Sequence, residues 1–320
     1  MEQPSDYYAG YDEYTCIRDG RCGYSYKSYE NSYSKEYEPL LLKDWEYTVH
    51  DDIENKIINL DKYRGTSSTV KIPGVVFIAG KTYQVTVGYK SKLDVSDVFA
   101  CNQNIESIKS MDLKIYDGKA LFKGLSNLTN VRLTNIAVDT DANLESLFEN
   151  CTSLEDIDLS ECQISKSSSL YKAFQGCTNL KTVKLFANVG DDYYVSKAKK
   201  ISLGYTFRYC ANLTSVNFGD IKINDTSLGG TFINCSSLQY LELSAFNGDT
   251  TTFMGTFENC SSLQTVYLLN SKPVSTVKCD NMFKGCASLK KVGTNTTTYN
   301  LLNNNKDVLG VNFSLIQNCN

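Results

Sequence analysis

The chain has one histidine, one tryptophan and four prolines among 320 residues. With His50 the only imidazole, no mechanism can use a histidine base together with a second histidine. A Ser-His-Asp set has no candidate beyond it. Glycine-rich phosphate loops are absent. So is any C-x2-C pair of the kind that clusters thiolates on zinc. Long apolar runs are missing too. The longest is Val75 to Ala79, five residues, where a membrane helix needs about 20. Residues 1–15 are acidic and tyrosine-rich and do not read as a signal-peptide core. The expectation is a mature or trimmed chain, or one that does not use the general export route. There is no excess of base either: 32 Lys and Arg stand against 36 Asp and Glu, with a net charge of −4. That balance argues against a nucleic-acid-binding surface.

What is present is a repeat. Phe148-Glu-Asn-Cys151-Thr-Ser-Leu154-Glu-Asp-Ile157-Asp-Leu159 returns from Phe174, Phe207, Phe232, Phe257 and Phe283. Degenerate copies start at Phe99 and Phe122. The template is F-x-x-C-x-x-L-x-x-V-x-L. The steps between phenylalanines are 23, 26, 26, 33, 25, 25 and 26 residues, inside the range of leucine-rich repeats. The long step predicts an insertion of about seven residues within Ala187 to Lys200, by comparison with that period.

The template dictates its own geometry. V-x-L alternates with period two, so Val and Leu face one way and their neighbours the other. One such strand is too short to bury a face alone; stacked in parallel it builds a continuous core. Phe is expected on the opposite wall, and Cys at the corner between wall and strand. The predicted fold is a right-handed leucine-rich-repeat solenoid. Its parallel β-sheet lies on the concave face, and short helical or irregular turns lie on the convex face.

The flanks differ. Residues 1–44 hold nine of the 22 tyrosines and almost no aliphatic residues before Leu40, too few for a core of their own. Residues 45–98 carry short β-rich runs and read as an N-terminal cap. About eight coils follow over 99–294. Residues 295–320, with eight asparagines, read as a C-terminal cap and tail.

Repeats such as Phe174-Gln-Gly-Cys177-Thr-Asn-Leu180-Lys-Thr-Val183-Lys-Leu185 resemble the BspA-like, Treponema-type leucine-rich repeats. The lead-in Leu60-Asp-Lys-Tyr-Arg-Gly-Thr66, followed by Val70-Lys-Ile-Pro73, is similar to the segment that precedes those repeats. The resemblance spans roughly residues 45–294. It implies a non-enzymatic, adhesin-like bacterial protein, at the cell surface or secreted, that binds a protein on a host or neighbouring cell. The rival expectation is a structural or assembly subunit docked through the N-terminal segment.

The residues themselves suggest no catalytic, cofactor or metal site. Each column cysteine (Cys151, Cys177, Cys210, Cys235, Cys260, Cys286) belongs to a different coil and reads as a small buried hydrophobe. Asn102 and Leu125 take the same place in the degenerate copies, which favours fill over thiol chemistry. Cys16 and Cys22 form a disulfide if the chain is exported. Asp51-Asp52 and Asp191-Asp192 read as solvated turns, and His50 as a surface or cap residue. The eight N-x-[ST] sequons follow from the repeat consensus and say nothing of glycosylation. The partner-binding candidates are the outward strand positions. Lys184, Phe186, Tyr240, Glu242, Tyr267 and Leu269 offer aromatic anchors with polar neighbours. The insertion adds Tyr193 and Tyr194 as a flap beside them.

Overall fold

A computed structural model describes residues 42–319, apart from 52, 54–55, 91–93, 101, 139–142, 163–168, 186–198, 201, 219–222, 225 and 244–248. The chain winds into a leucine-rich-repeat solenoid of about eight turns. Each coil passes through a strand wall built by the V-x-L segment. In chain order the strands of this wall fall into three parallel ladders. The first joins Thr69–Ile72, Ser107–Met111 and Asn130–Thr134. The second joins Asp156–Asp158, Thr182–Lys184 and Ser215–Asn217. The third joins Tyr240–Glu242, Thr265–Leu268, Lys291–Thr294 and Ile316–Asn318. Register follows the repeat: Ile157, Val183 and Val216 are partners, as are Leu241, Val266, Val292 and Ile316.

A second strand wall lies beyond what the repeat template announced. At the N-terminal end it holds Trp45–Asp51, Lys56–Tyr63, Lys81–Val87, Lys114–Ile115 and Ala137–Val138, in that order, with Val75–Ile78 antiparallel to Lys81–Val87. Further on it continues as Lys199–Lys200 with Ile223–Asn224, and as Thr226–Ser227, Asp249–Thr252 and Lys272–Lys278. These pieces come from the variable half of each repeat, so no shared template marks them.

The third wall carries the Phe and Cys columns and is made of turns. In the coil around Phe148, the N–H groups of Leu144, Ser146, Phe148 and Asn150 donate to Ser169, Tyr171, Ala173 and Gln175 of the next coil, at 2.7–3.1 Å. The N–H groups between them, on Leu147, Glu149 and Cys151, close three-residue turns within the coil. Alternation of this kind needs a left-handed residue two before and two after each Phe from Phe122 onward. The position after it is Gly124, Asn150, Gly176, Tyr209, Asn234, Asn259 and Gly285, all with φ between +62° and +78°. Glycine adopts that backbone freely, and asparagine more readily than most residues. The sequons at Asn150, Asn234 and Asn259 thus exist because the turn needs a left-handed residue before a buried cysteine.

Between the walls lies one core. The rings of Phe122, Phe148, Phe174, Phe207, Phe232, Phe257 and Phe283 are fully buried. Their centroids are spaced 5.1–5.6 Å, and their planes lie within 21° of parallel. Phe99, the first ring of the array, is sandwiched too, between Phe122 and Tyr63, because Tyr63 takes the Phe place in a preceding coil. The Tyr63 N–H donates to Val98 as the Phe N–H groups from Phe122 onward do to their next coils, and its ring lies 5.9 Å from Phe99. Trp45 closes the stack 5.6 Å from Phe99. Leu42, fully buried, joins the same core. At the other end the helix Thr296–Asn304 is tied on by Asn295. Its carboxamide oxygen accepts from the Thr298 N–H, and its nitrogen donates to the carbonyls of Leu269 and Ser271.

Candidate partner-binding face

The outward positions of the strand wall form rows, because partners in register stand side by side on neighbouring coils. The row after the central Val or Ile reads Lys71, Lys109, Arg132, Asp158, Lys184, Asn217, Glu242, Tyr267 and Gly293. From Asp158 onward the row mixes acid, base and neutral residues. Lys184 Nζ lies 2.7 Å from Asp158 Oδ2, and on the adjoining row Lys181 Nζ lies 2.6 Å from Glu155 Oε2. Partial burial opposes the charge of Asp158. The Lys184 ammonium and the Ser160 hydroxyl and N–H outweigh it and hold its pKa down at about 2.

Towards the C-terminal end the face becomes aromatic. Tyr240 is 52% exposed, and its ring centroid lies 6.0 Å from that of Tyr267 on the next coil. Its hydroxyl donates to Glu242 Oε2 at 3.1 Å. Desolvation, then the Glu242 carboxylate, push the Tyr240 pKa above its ordinary value. Lys291 Nζ sits 5.2 Å over the Tyr267 ring. On its other side the Tyr267 ring lies on the backbone of Gly293, where an added Cβ would come within 2.4 Å of the Tyr267 Cδ1. Leu269, half-buried, sits in the turn just past the strand rather than on it. Phe186, Tyr193 and Tyr194 lie outside the described residues, as do Asp191-Asp192, Cys16, Cys22 and Cys101. The structure thus brings Tyr240, Glu242 and Tyr267 together and places Lys184 two coils away, paired to Asp158. Lys291 and Gly293 complete the patch. The sequence reading passed over them because the last coil breaks the V-x-L template with Val292-Gly293-Thr294.

Two features of the turn wall also escaped the sequence. Tyr205 and Tyr209 flank Arg208, whose guanidinium lies 5.3 Å from the Tyr205 ring and 4.6 Å from the Tyr209 ring, and Tyr171 meets Tyr205 edge-on at 5.7 Å. Thr206, Thr231 and Thr256 are fully buried, and each hydroxyl reaches the carbonyl of a residue on the preceding coil. Each follows a left-handed residue and precedes Phe, so a threonine there looks like ordinary solvent-exposed turn chemistry. The cysteine column is buried as expected, apart from partly exposed Cys286, and its thiols are free. It nevertheless does more than fill space. Each Sγ donates to the carbonyl of the Phe on the preceding coil, at 3.0–3.1 Å. Burial pushes the thiol pKa up, to about 12 for Cys151 and Cys286. His50 stacks edge-on against Tyr89 at 5.1 Å. Among the described residues no group of three or more His, Cys, Asp or Glu is placed to hold a metal ion. No described helix is long and apolar enough to cross a membrane.

Residues 95–198 and 195–305 match the model for the BspA type leucine rich repeat region, in six copies. Among solved structures, the chain is similar to a leucine-rich repeat protein of T. pallidum, at 15% identity over 87% of this chain and 99% of that one, with a TM-score of 0.34. It is also similar to a leucine-rich repeat protein from Bacteroides ovatus, at 17% identity over 82% and 87%, TM-score 0.26. A third likeness is to a leucine rich cell surface protein from Faecalibacterium prausnitzii, at 14% identity over 84% and 97%, TM-score 0.26. No curated protein matches the chain.

Proposed function

Because the chain belongs to the BspA-type leucine-rich repeat family, we propose that it is a protein-binding module of a bacterial surface. It holds a protein of a host or neighbouring cell on its strand face, and works by recognition rather than catalysis. The observation that carries this reading is the patch of Tyr240, Tyr267 and Lys291 rimmed by Glu242. Exposed tyrosines beside charged groups have the composition of interface anchors. The tyrosines sit on strands locked in register, so little side-chain freedom is lost when a partner covers them. Glu242 and Lys291 offer charges of both signs at the rim, which select for orientation more than for strength.

The test is saturable binding of fluorescently labelled full-length chain to cultured epithelial cells and to neighbouring bacterial cells. Tyr240→Ala with Tyr267→Ala should lower affinity tenfold or more, about 1.4 kcal/mol, with the urea midpoint nearly unchanged. Unchanged affinity in the folded double variant removes this patch. Loss of folding means that these rings face the core. Absence of saturable binding to either cell type removes the adhesin reading.

A further inference from the structure

The residue after each column Phe forms a row of its own on the turn wall. From Phe122 onward it reads Lys123, Glu149, Gln175, Arg208, Ile233, Glu258 and Lys284. Two of its three cations stand beside an acid on the neighbouring coil. Lys123 Nζ lies 2.8 Å from Glu149 Oε2, and Lys284 Nζ lies 3.3 Å from Glu258 Oε1. Arg208 stands instead between uncharged Gln175 and Ile233. The acids two coils away on either side of it, Glu149 and Glu258, are the ones those lysines already hold. The second oxygen of Glu149 is taken as well, by Gln175 Nε2 at 3.0 Å. Among the described residues no carboxylate pairs with Arg208.

The side chain is nonetheless held in place. Tyr205 and Tyr209 flank its guanidinium, and the Tyr205 ring rests in turn on the bare backbone of Gly230, where an added Cβ would come within 2.4 Å of Tyr205 Cε1. A cation fixed in this way loses little freedom when it binds. Its Nη2 donates to the Tyr209 hydroxyl at 2.9 Å, while its Nε is buried without a partner. Gln175 Oε1, on the preceding coil, is a buried acceptor that also lacks one. Buried polar atoms are seldom left so. Nε and Nη2 form an edge of the planar fork that a carboxylate bridges with two bonds. Tyr209 is 42% exposed, so its hydroxyl can swing out and yield that edge. Beside the fork the wall turns apolar. Ile233 lies against Gly230, and Met254, 45% exposed, accepts the Gly230 N–H on its carbonyl. We propose that Arg208 and its flanking tyrosines are a second docking site, for a protein partner that presents an Asp or Glu side chain next to an aliphatic or aromatic one. The carboxylate replaces the Tyr209 hydroxyl on Nη2 and gives Nε its acceptor, and the apolar neighbour covers Ile233 and Met254. Arginine and tyrosine are the residues on which such sites most often turn. The site lies on a different wall from Tyr240 and Tyr267 and does not rest on the reading of that face.

The experiment is panning of phage-displayed random dodecapeptides on the full-length chain, with the enriched sequences then synthesised and their affinities measured by biolayer interferometry. The enriched set should include peptides with Asp or Glu next to an aliphatic or aromatic residue. For these, Arg208→Gln should lower affinity by about tenfold or more, as loss of an anchoring arginine does. Changing the peptide's acid to its amide should lower it equally. Arg208→Lys keeps the charge and the stem but not the fork, and should also bind severalfold more weakly. It carries the test if circular dichroism shows the glutamine variant unfolded. Tyr209→Phe removes only the competing hydroxyl and should not weaken binding. Tyr240→Ala with Tyr267→Ala should leave it unchanged. Enriched peptides that all bind Arg208→Lys as well as wild type, or that lack acids, would overturn the proposal. A dimer in sedimentation velocity that Arg208→Gln dissolves would make a second copy the occupant and overturn it too. Acidic peptides captured only by the Asp191→Asn, Asp192→Asn variant would mean that the chain's own acids fill the fork, and would overturn a partner there.

Discussion

The Sγ of Cys177 donates to the carbonyl oxygen of Phe148 at 3.0 Å, and the same oxygen accepts the N–H of Cys151 at 3.1 Å. One carbonyl thus spends both lone pairs. One bond closes the turn within its own coil, and the other clamps the next coil to it. The arrangement repeats from Cys151 to Cys286, beside rings that stack at nearly the same spacing. Asn102 in the first repeat supplies the same contact, with its carboxamide nitrogen 3.4 Å from the Tyr63 carbonyl. In every coil but that of Leu125 the column therefore carries a donor.

Substitution at Cys210 separates donor from filler. Cys210→Ala should cost about 1–2 kcal/mol, since it removes one bond to Phe174 and leaves a small void. Cys210→Ser keeps a donor of similar reach and should cost less. Equal urea midpoints for the two variants, or a worse one for serine, would mean that the thiol only fills space.

The ring stack should make Phe99 as important as a central ring. Phe99→Ala and Phe232→Ala are both expected to lose about 3–5 kcal/mol, as buried aromatic truncations do. A Phe99 variant that stays near wild type in denaturant titration would mean that Tyr63 and Trp45 do not continue the stack.

Much of this could be read in the sequence. Fixed offsets of Phe, Leu and Val gave the coil period, and the alternation of V-x-L gave the outward residues Tyr240, Glu242 and Tyr267. The second strand wall stayed hidden because its pieces carry no common residue type; a parallel ladder there is set by backbone bonds once coils are stacked. The donor role of cysteine stayed hidden for a different reason. A buried thiol and a buried methyl look alike in composition, and only the carbonyl beside Sγ tells them apart. The tyrosines around Arg208 come from scattered offsets within the turn wall, so no periodicity announces them.

Backbone conformation explains the asparagines before cysteine. At Asn234, with φ +62°, Asn234→Gly should be nearly neutral, while Asn234→Ala should lose about 1 kcal/mol more because its Cβ crowds the left-handed backbone. Thermal midpoints of the two variants measure the difference, and alanine matching glycine would contradict it.

Gly293 offers a way to disturb the binding patch without touching its aromatics. An added Cβ would displace the Tyr267 ring that lies over it. Gly293→Ala should weaken cell binding severalfold while the folded array persists, since the half-buried Tyr267 ring can swing outward to admit the methyl. Unaltered binding would show that the seat of Tyr267 is not part of the recognition surface.

The claim on which the whole stack depends is that a ladder of neutral, buried thiols ties coil to coil, and the pH dependence of stability tests it most directly. Burial raises the pKa of each column thiol in the folded chain, Cys151 and Cys286 to about 12, and Cys177 and Cys235 well above the ordinary value. Below the unfolded thiol pKa of about 8.5, folded and unfolded chains hold the same protons, and this stability is fully present. Above it the unfolded chain releases protons that the folded chain keeps, so stability falls with pH by about 1.4 kcal/mol per unit for each thiol. Several thiols acting together would exhaust an ordinary stability of about 5–15 kcal/mol within a few units. Urea unfolding followed from pH 7 to pH 11 should therefore show a flat stability up to about pH 8.5 and then a steep decline, with the array unfolded near pH 11. A urea midpoint that holds from pH 8.5 to pH 11 would contradict the thiol ladder.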